Sequence, residues 1–140
     1  MSRTRYLVIA LLVFLPGSAV LGDDLTGANK LLCTAVQATS CRDDGDCVTD
    51  VPWKFNVPQF IEIDLAAKRL STTKASDENR ESPINSLTRV DGLLVLQGLE
   101  EGRAFSFVIN ETTGRISATV ARDGITVSVF GACTPVAQFK

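Results

Sequence analysis

The sequence predicts a mainly β fold, in which an antiparallel meander forms a small up-and-down barrel or a curved sheet with one N-terminal helix packed on it. Three observations lead to this prediction. Apolar and polar residues alternate with a period of two through most of the chain after Trp53, and short Gly-containing turns separate the apolar runs. An earlier segment, residues 25–40, shows the three- and four-residue apolar spacing of a helix. The length of 140 residues, of which 45% are apolar, is typical of one packed domain, and a two-sheet sandwich is the alternative arrangement.

The first 22 residues have the three-part layout of a secretory signal peptide. Arg3 and Arg5 form a positive start, residues 6–15 are apolar, and small residues precede Asp23. An apolar run of about ten residues is half of the roughly 20 that span a bilayer as a helix, so we expect cleavage. The sequence therefore predicts a secreted or periplasmic protein, without a membrane span after cleavage, whose single mature domain comprises residues 23–140.

The mature domain begins with the predicted helix over residues 25–40. Asp24 offers an N-cap, and the apolar positions lie close to one helix face. These positions are Leu25, Ala28, Leu32, Ala35, Val36 and Thr39. A disulfide loop over residues 41–53 and a meander over residues 54–133 complete the predicted domain.

Four cysteines remain after cleavage, Cys33, Cys41, Cys47 and Cys133, and they predict two disulfides in an oxidising compartment. On a helix, Cys33 and Cys41 would be about 12 Å apart along the axis, too far for a bridge. We therefore expect Cys41 to pair with Cys47 and Cys33 with Cys133. Pairing of Cys33 with Cys47 and of Cys41 with Cys133 is the alternative. A four-cysteine zinc site is disfavoured because the chain has no C-x-x-C pair, and no metal or cofactor is expected.

The predicted meander starts with a strand at residues 60–64, in which Ile61 and Ile63 share the face opposite to Glu62 and Asp64. A strand at 69–73 and a long exposed loop at 74–82 follow. Five further strands are expected at 84–90, 93–99, 103–110, 115–121 and 125–131. Asp91-Gly92 and Asp123-Gly124 predict tight hairpins with positive φ at both central residues. The expected inward side chains of the last three strands are Phe105, Phe107, Ile109, Ile116, Ala118, Val120, Ile125, Val127 and Val129.

Composition excludes several classes of function. The chain has no histidine, which removes Ser-His-Asp and Cys-His nucleophile systems and His-ligated zinc. Its 14 basic residues are scattered and are outnumbered by 16 acidic ones, so we expect no nucleic-acid binding. The glycines are separate turn residues and do not form a phosphate-binding run.

Two groups of acidic residues are candidates for chemistry. Glu62 and Asp64 share one strand face at about 6.5 to 7 Å, which approaches a glycosidase pair, although the solvent face of an edge strand explains them better. The acids around Gly45 could offer oxygens to Ca²⁺, but they are too crowded for an EF-hand loop and suit a solvated disulfide loop. They are Asp43, Asp44, Asp46 and Asp50.

Two loops, residues 42–46 and 74–82, are the expected binding surfaces because loops on a rigid scaffold carry function. Their candidate residues, together with the single tryptophan, are Asp43, Asp44, Asp46, Trp53, Asp77, Glu78 and Arg80. The leading hypothesis is an exported, non-enzymatic domain that binds a protein or a small apolar ligand. A structural or envelope-assembly module is the alternative, and a hydrolase that uses Glu62 and Asp64 is a third. Asn110 also meets the N-x-[ST] rule for glycosylation.

Overall fold

The computed structural model describes residues 22–76 and 78–137. The predicted signal segment, up to residue 21, lies outside the described residues. One antiparallel sheet contains all ten strands of the described part, and two 3₁₀ turns, Pro52–Phe55 and Lys74–Ser76, complete the secondary structure. The strands are β1 (Lys30–Arg42), β2 (Cys47–Asp50), β3 (Phe60–Asp64), β4 (Arg69–Thr72), β5 (Glu81–Pro83), β6 (Ser86–Val90), β7 (Leu93–Glu100), β8 (Arg103–Asn110), β9 (Arg115–Arg122) and β10 (Ile125–Pro135).

Nine of the strands form one curved path, and the sheet is a half-barrel. The order along the path is β5-β4-β3-β1-β10-β9-β8-β7-β6, so sequence neighbours from β6 to β10 are also neighbours in the sheet. The long strand β1 lies in the middle, where its first half pairs with β3 and its second half with β2. The predicted meander is thus confirmed in its antiparallel, short-turn character, and β1 joins its two halves.

The two ends of this path are consecutive in the chain. Strand β5 pairs with β4 and strand β6 with β7, and only Ile84 and Asn85 connect them. The Ile84 N–H donates to the Lys68 carbonyl at 2.9 Å, and the Asn85 N–H donates to the Gln97 carbonyl at 2.9 Å. This short connection therefore forms hydrogen bonds at both edges of the half-barrel and holds the two edges close to each other.

The predicted helix over residues 25–40 is wrong, because this part of the chain contributes most of β1, and the described residues contain no α-helix. The reason is a β-bulge at Val36: Ala35 lies opposite Gly131, whereas Gln37 already lies opposite Phe130. The bulge changes one inward spacing from two residues to three, between Ala35 and Ala38. This mixture of spacings resembles the periodicity of a helix.

The two predicted disulfides are present, and both join residues that lie directly opposite each other in the sheet. Cys33 is bonded to Cys133 between β1 and β10, with a Cα–Cα distance of 4.0 Å. Cys41 is bonded to Cys47 between β1 and β2, with a Cα–Cα distance of 4.1 Å. The pairing is the one that the sequence favours, but the helix argument for it was wrong. On a strand, eight residues separate Cys33 from Cys41 by about 26 Å, which excludes their bridge more strongly.

The predicted turns between the C-terminal strands are present, but the backbone conformation of some of them differs from the expectation. Asp91 and Gly92 both have positive φ, 49° and 76°, as expected for this hairpin. Glu101 and Gly102 form a second turn of this kind, with φ of 45° and 76°. At the β9–β10 turn only Gly124 has positive φ, so the expectation for its aspartate was wrong. The expected loop over residues 74–82 is also shorter, because its last two residues begin β5.

The hydrophobic core fills one end of the half-barrel, which we call the packed end. Leu31, Ile63, Leu94 and Ile109 have at most 1% of their surface exposed there. Leu25 covers them from the N-terminal segment, and its N–H donates to the Glu111 carbonyl at 2.6 Å. The packed end is therefore closed, and any space inside the half-barrel lies toward the opposite end.

Candidate functional site

A cavity of about 470 Å³ occupies the half-barrel beyond the packed end. It lies between the concave face of the sheet and the segment 54–58, which follows β2. Sites for small ligands commonly measure roughly 300 to 1,000 Å³, so this cavity has the size of a binding site.

Two rows of inward residues cross the sheet at the level of this space. Each row consists of inward residues that lie opposite one another on neighbouring strands. The first row contains Ala38, Val129, Ala118, Phe107 and Leu96. The second row contains Ser40, Val127, Val120, Phe105 and Gly98. Ala118 and Ser40 are the small members that line the cavity, whereas the space beside Gly98 is occupied by the ring of Phe105.

Two phenyl rings from β8, those of Phe105 and Phe107, form part of the apolar wall. Phe105 and Phe107 occupy successive inward positions on β8, with ring centroids 5.3 Å apart and planes tilted by 47°. The ring of Phe105 lies against Gly98, where a β-carbon would be 2.3 Å from its Cζ atom. A side chain at position 98 would therefore displace this ring, and glycine keeps it in the cavity wall.

The 3₁₀ turn Pro52–Phe55 covers the cavity from the side opposite to β8. Pro52 is buried and suits the first position of the turn because it needs no N–H donor there. The turn ends at Asn56, whose left-handed backbone (φ 57°, ψ 32°) directs the chain back over the sheet. Phe55 and Val57 are half-buried against the core and line the cavity.

Charged side chains surround the open end, which we call the mouth. Five of them contribute to the cavity lining: Lys54, Arg80, Glu100, Arg103 and Arg122. The Lys54 ammonium contacts the Asp50 carboxylate at 2.5 Å. Together with the Val51 backbone N–H, this hydrogen bond from Lys54 lowers the pKa of Asp50. The charge of Lys54 is thereby paired outside the cavity, whereas Arg80 and Arg103 lie 3.6 and 3.5 Å from the Glu100 carboxylate.

The predicted binding loops are only partly related to this site. Asp43, Asp44 and Asp46 are exposed in the β1–β2 turn and do not line the cavity. The Asp44 carboxylate accepts the Asp46 N–H at 3.0 Å, so it organises the turn. Within residues 22–76 and 78–137, no group of three or more acidic or cysteine side chains is arranged to hold a metal ion.

The four other predicted binding residues are Trp53 and three residues of the 74–82 segment. Trp53 is 57% exposed and lies outside the lining, although Phe55 two residues later is part of it. Asp77 is outside the described residues. The Glu78 carboxylate lies 3.7 Å from the Arg80 guanidinium, and Arg80 is the one described candidate that lines the cavity.

Glu62 and Asp64 lie on β3, away from the cavity lining. Glu62 is exposed, whereas Asp64 is half-buried and forms an ion pair with Lys30 at 3.3 Å. The Ala67 N–H, at 2.8 Å from the Asp64 carboxylate, is the largest cause of the lowered pKa of Asp64, with a further contribution from Lys30. Both contacts indicate a structural role for Asp64 at the β3–β4 turn.

Sequence reasoning considered the basic residues only as scattered charges and did not place Arg103 and Arg122 in the cavity lining. The alternation of inward and outward residues could have placed them there. Arg103 is on the same face of β8 as Phe105 and Phe107, and Arg122 is on the same face of β9 as Ala118. A charged residue in the inward phase at the end of an apolar strand indicates a polar rim around an interior space.

No protein-family model matches the chain, and no curated protein matches it either. In the described part of the chain, no helix has the length and apolarity needed to cross a membrane.

Proposed function

We propose that this protein binds a small apolar ligand inside the half-barrel and does not catalyse a reaction. The observation that carries this proposal is the cavity of about 470 Å³, whose wall includes the side chains of Phe55, Phe105 and Phe107. Aliphatic side chains that include Ile61, Ile116, Val127 and Val129 extend this apolar part of the wall. Such a wall favours apolar molecules because their transfer from water removes apolar surface on both sides.

Small residues at inward positions support this proposal. Ala118 and Ser40 line the cavity, and the larger side chains that fill a close-packed interior would reduce its volume at either position.

The proposed compartment is extracellular or periplasmic. Disulfides form and persist in oxidising compartments, and Cys33–Cys133 and Cys41–Cys47 account for all four cysteines. The signal-like pattern of residues 1–22 supports the same location. We infer that the ligand is encountered outside the cytoplasm.

The structural alternative would use the outer face of the sheet. Val36 and Phe130 are each 56% exposed there, beside the bulge in β1. However, Ser117 separates Phe130 from Val108, which is 39% exposed, so the outer apolar side chains are interrupted along this row. The apolar side chains around the cavity converge on one enclosed space, and this arrangement favours ligand binding.

A neutral fluorescent probe, N-phenyl-1-naphthylamine, tests the proposal. We expect saturable binding of one probe per chain, with enhanced fluorescence because the probe enters an apolar site. Ala118→Phe should weaken binding at least about tenfold, since its ring would occupy the cavity, whereas Thr119→Phe places the same ring on the exposed face of β9. Ala118→Leu, which adds less volume, provides a second variant if the phenyl ring impairs folding.

Circular dichroism and thermal unfolding establish that each variant is folded before titration. The proposal fails if the wild-type protein does not bind the probe in a saturable manner. It also fails if both folded position-118 variants bind the probe as well as Thr119→Phe does.

A further inference from the structure

Cations outnumber anions in the cavity lining at the mouth. Lys54, Arg80, Arg103 and Arg122 line the cavity, and Glu100 is the one acidic side chain in the lining. Three further carboxylates lie just outside the lining: Asp50 is 2.5 Å from Lys54, Glu78 is 3.7 Å from Arg80, and Glu101 is 3.8 Å from Arg103. The mouth as a whole therefore carries as many carboxylates as cations, and binding of an anion there depends on guanidinium N–H donors that these carboxylates leave unused.

Arg103 and Arg80 are held where a ligand would emerge from the apolar cavity. Arg103 lies two residues before Phe105 in the inward phase of β8, and 22% of its side chain is exposed. Arg80 approaches from the opposite side with 27% of its side chain exposed, and its Nη1 donates to the Asn56 carbonyl at 3.2 Å. The two guanidinium groups thus lie partly shielded from solvent, one step above the phenyl rings.

Glu100 does not saturate these two groups. Nη2 of Arg80 and Nη2 of Arg103 lie 3.6 and 3.5 Å from the same Glu100 oxygen, Oε2. Charge-assisted hydrogen bonds between guanidinium and carboxylate are shorter, about 2.7 to 2.9 Å. Among the described residues, the Arg80–Asn56 bond is the one hydrogen bond formed by these two guanidinium groups, so several N–H donors remain for another acceptor.

We propose that the ligand is an amphiphile with one apolar chain and an anionic oxygen head group, which Arg80 and Arg103 bind at the mouth. The chain occupies the cavity against Phe105 and Phe107, and the head group accepts N–H donors from the planar guanidinium forks. Glu100 holds the two arginines together in the empty site and competes with the head group. This inference rests on the proposed binding function and specifies its ligand class.

The test compares four twelve-carbon compounds below their aggregation concentrations, as competitors of N-phenyl-1-naphthylamine. Dodecanoate and dodecyl phosphate carry the proposed head group from two different sources, dodecanol is neutral, and dodecylammonium is cationic. We expect at least one of the two anions to compete at a concentration about tenfold lower than dodecanol, a difference of about 1.4 kcal/mol. Dodecylammonium should be weaker than dodecanol.

Substitutions assign this preference to the mouth. Arg103→Gln and Arg80→Gln should each reduce the ratio of the affinity for the anion to the affinity for dodecanol, because each removes guanidinium donors that the head group would accept. Arg115→Gln, at an exposed arginine at the other end of β9, is the matched control and should keep the full preference. Glu100→Gln should increase affinity for the anion, since it removes the competing carboxylate.

The outcomes separate the two proposals. If neither dodecanol nor the fluorescent probe binds, the cavity function itself is wrong. If dodecanol binds and neither anion binds more tightly, the cavity function stands and the head-group proposal is overturned. A preference for an anion that survives in both arginine variants likewise overturns it.

Discussion

The two disulfides close loops of very different length, and this difference predicts unequal contributions to stability. Cys33 and Cys133 are 100 residues apart, whereas Cys41 and Cys47 are 6 apart. In the chain-entropy description, a bridge stabilises the native state because it restricts the unfolded chain. The long loop corresponds to about 4.7 kcal/mol and the short loop to about 2.3 kcal/mol at 25 °C.

Two double variants isolate these contributions. Cys41→Ala/Cys47→Ala retains the long bridge, and Cys33→Ala/Cys133→Ala retains the short one. Each variant is unfolded with urea in its oxidised form and again under dithiothreitol, and the difference in unfolding free energy is taken within the variant. Any packing loss at Cys33 and Cys133, which are both 2% exposed, then affects both measurements equally and cancels.

We expect reduction to lower the unfolding free energy of the long-bridge variant about twice as much as that of the short-bridge variant. The oxidised long-bridge variant should also show the smaller urea m-value, because its cross-link keeps the unfolded chain more compact. Equal costs, or a larger cost for the short bridge, would refute the loop-length reasoning.

Two further predictions concern packing and pH. Gly98→Val should lower stability by about 1 to 3 kcal/mol, because its β-carbon would lie 2.3 Å from Phe105 Cζ and 2.5 Å from the Pro83 carbonyl. Thermal unfolding measures this loss, and Gln97→Val, on the exposed face of the same strand, is the control. Equal melting temperatures for the two variants would contradict the prediction. The lowered pKa of Asp64 means that its contribution is present above the pKa of the unfolded state and is lost as pH falls through the folded value. Urea unfolding at about pH 5 and about pH 2 should therefore show a smaller acid loss for Asp64→Asn than for wild type, and identical losses would exclude this role.

The β6–β10 region was predictable because its information is local. Each hairpin connects sequence neighbours through a short turn, and alternation assigns every side chain to one of two faces. The inward set on β8 and β9 is an example: Phe105, Phe107, Ile109, Ile116 and Ala118 are all buried as expected. The pairing of β1 with β10 and β3 was not accessible in this way, because its partners are distant in sequence.

The error at β1 has a local cause. Val36 is the extra residue of a bulge, so the inward positions run from Ala35 to Ala38 without the regular spacing of two. Whether such a spacing belongs to a helix or to a bulged strand depends on the strand that lies opposite. Gly131 on β10 permits the close approach of the bulged strand here, since a β-carbon at this residue would lie 1.9 Å from the Thr34 carbonyl oxygen.

The amino-acid sequence by itself determined the β class of this protein, the inward and outward faces of its C-terminal strands, and the presence of two disulfides. These features follow from alternation, turn chemistry and cysteine number, which are properties of neighbouring residues or of composition. Only the tertiary structure decided that inward residues leave a cavity instead of filling a core. Ala118 contributes to this volume because it is a small residue between Val129 and Phe107, on strands that meet across the sheet. The placement of Arg80 beside Glu100 and Arg103 likewise depends on chain segments that only folding brings together.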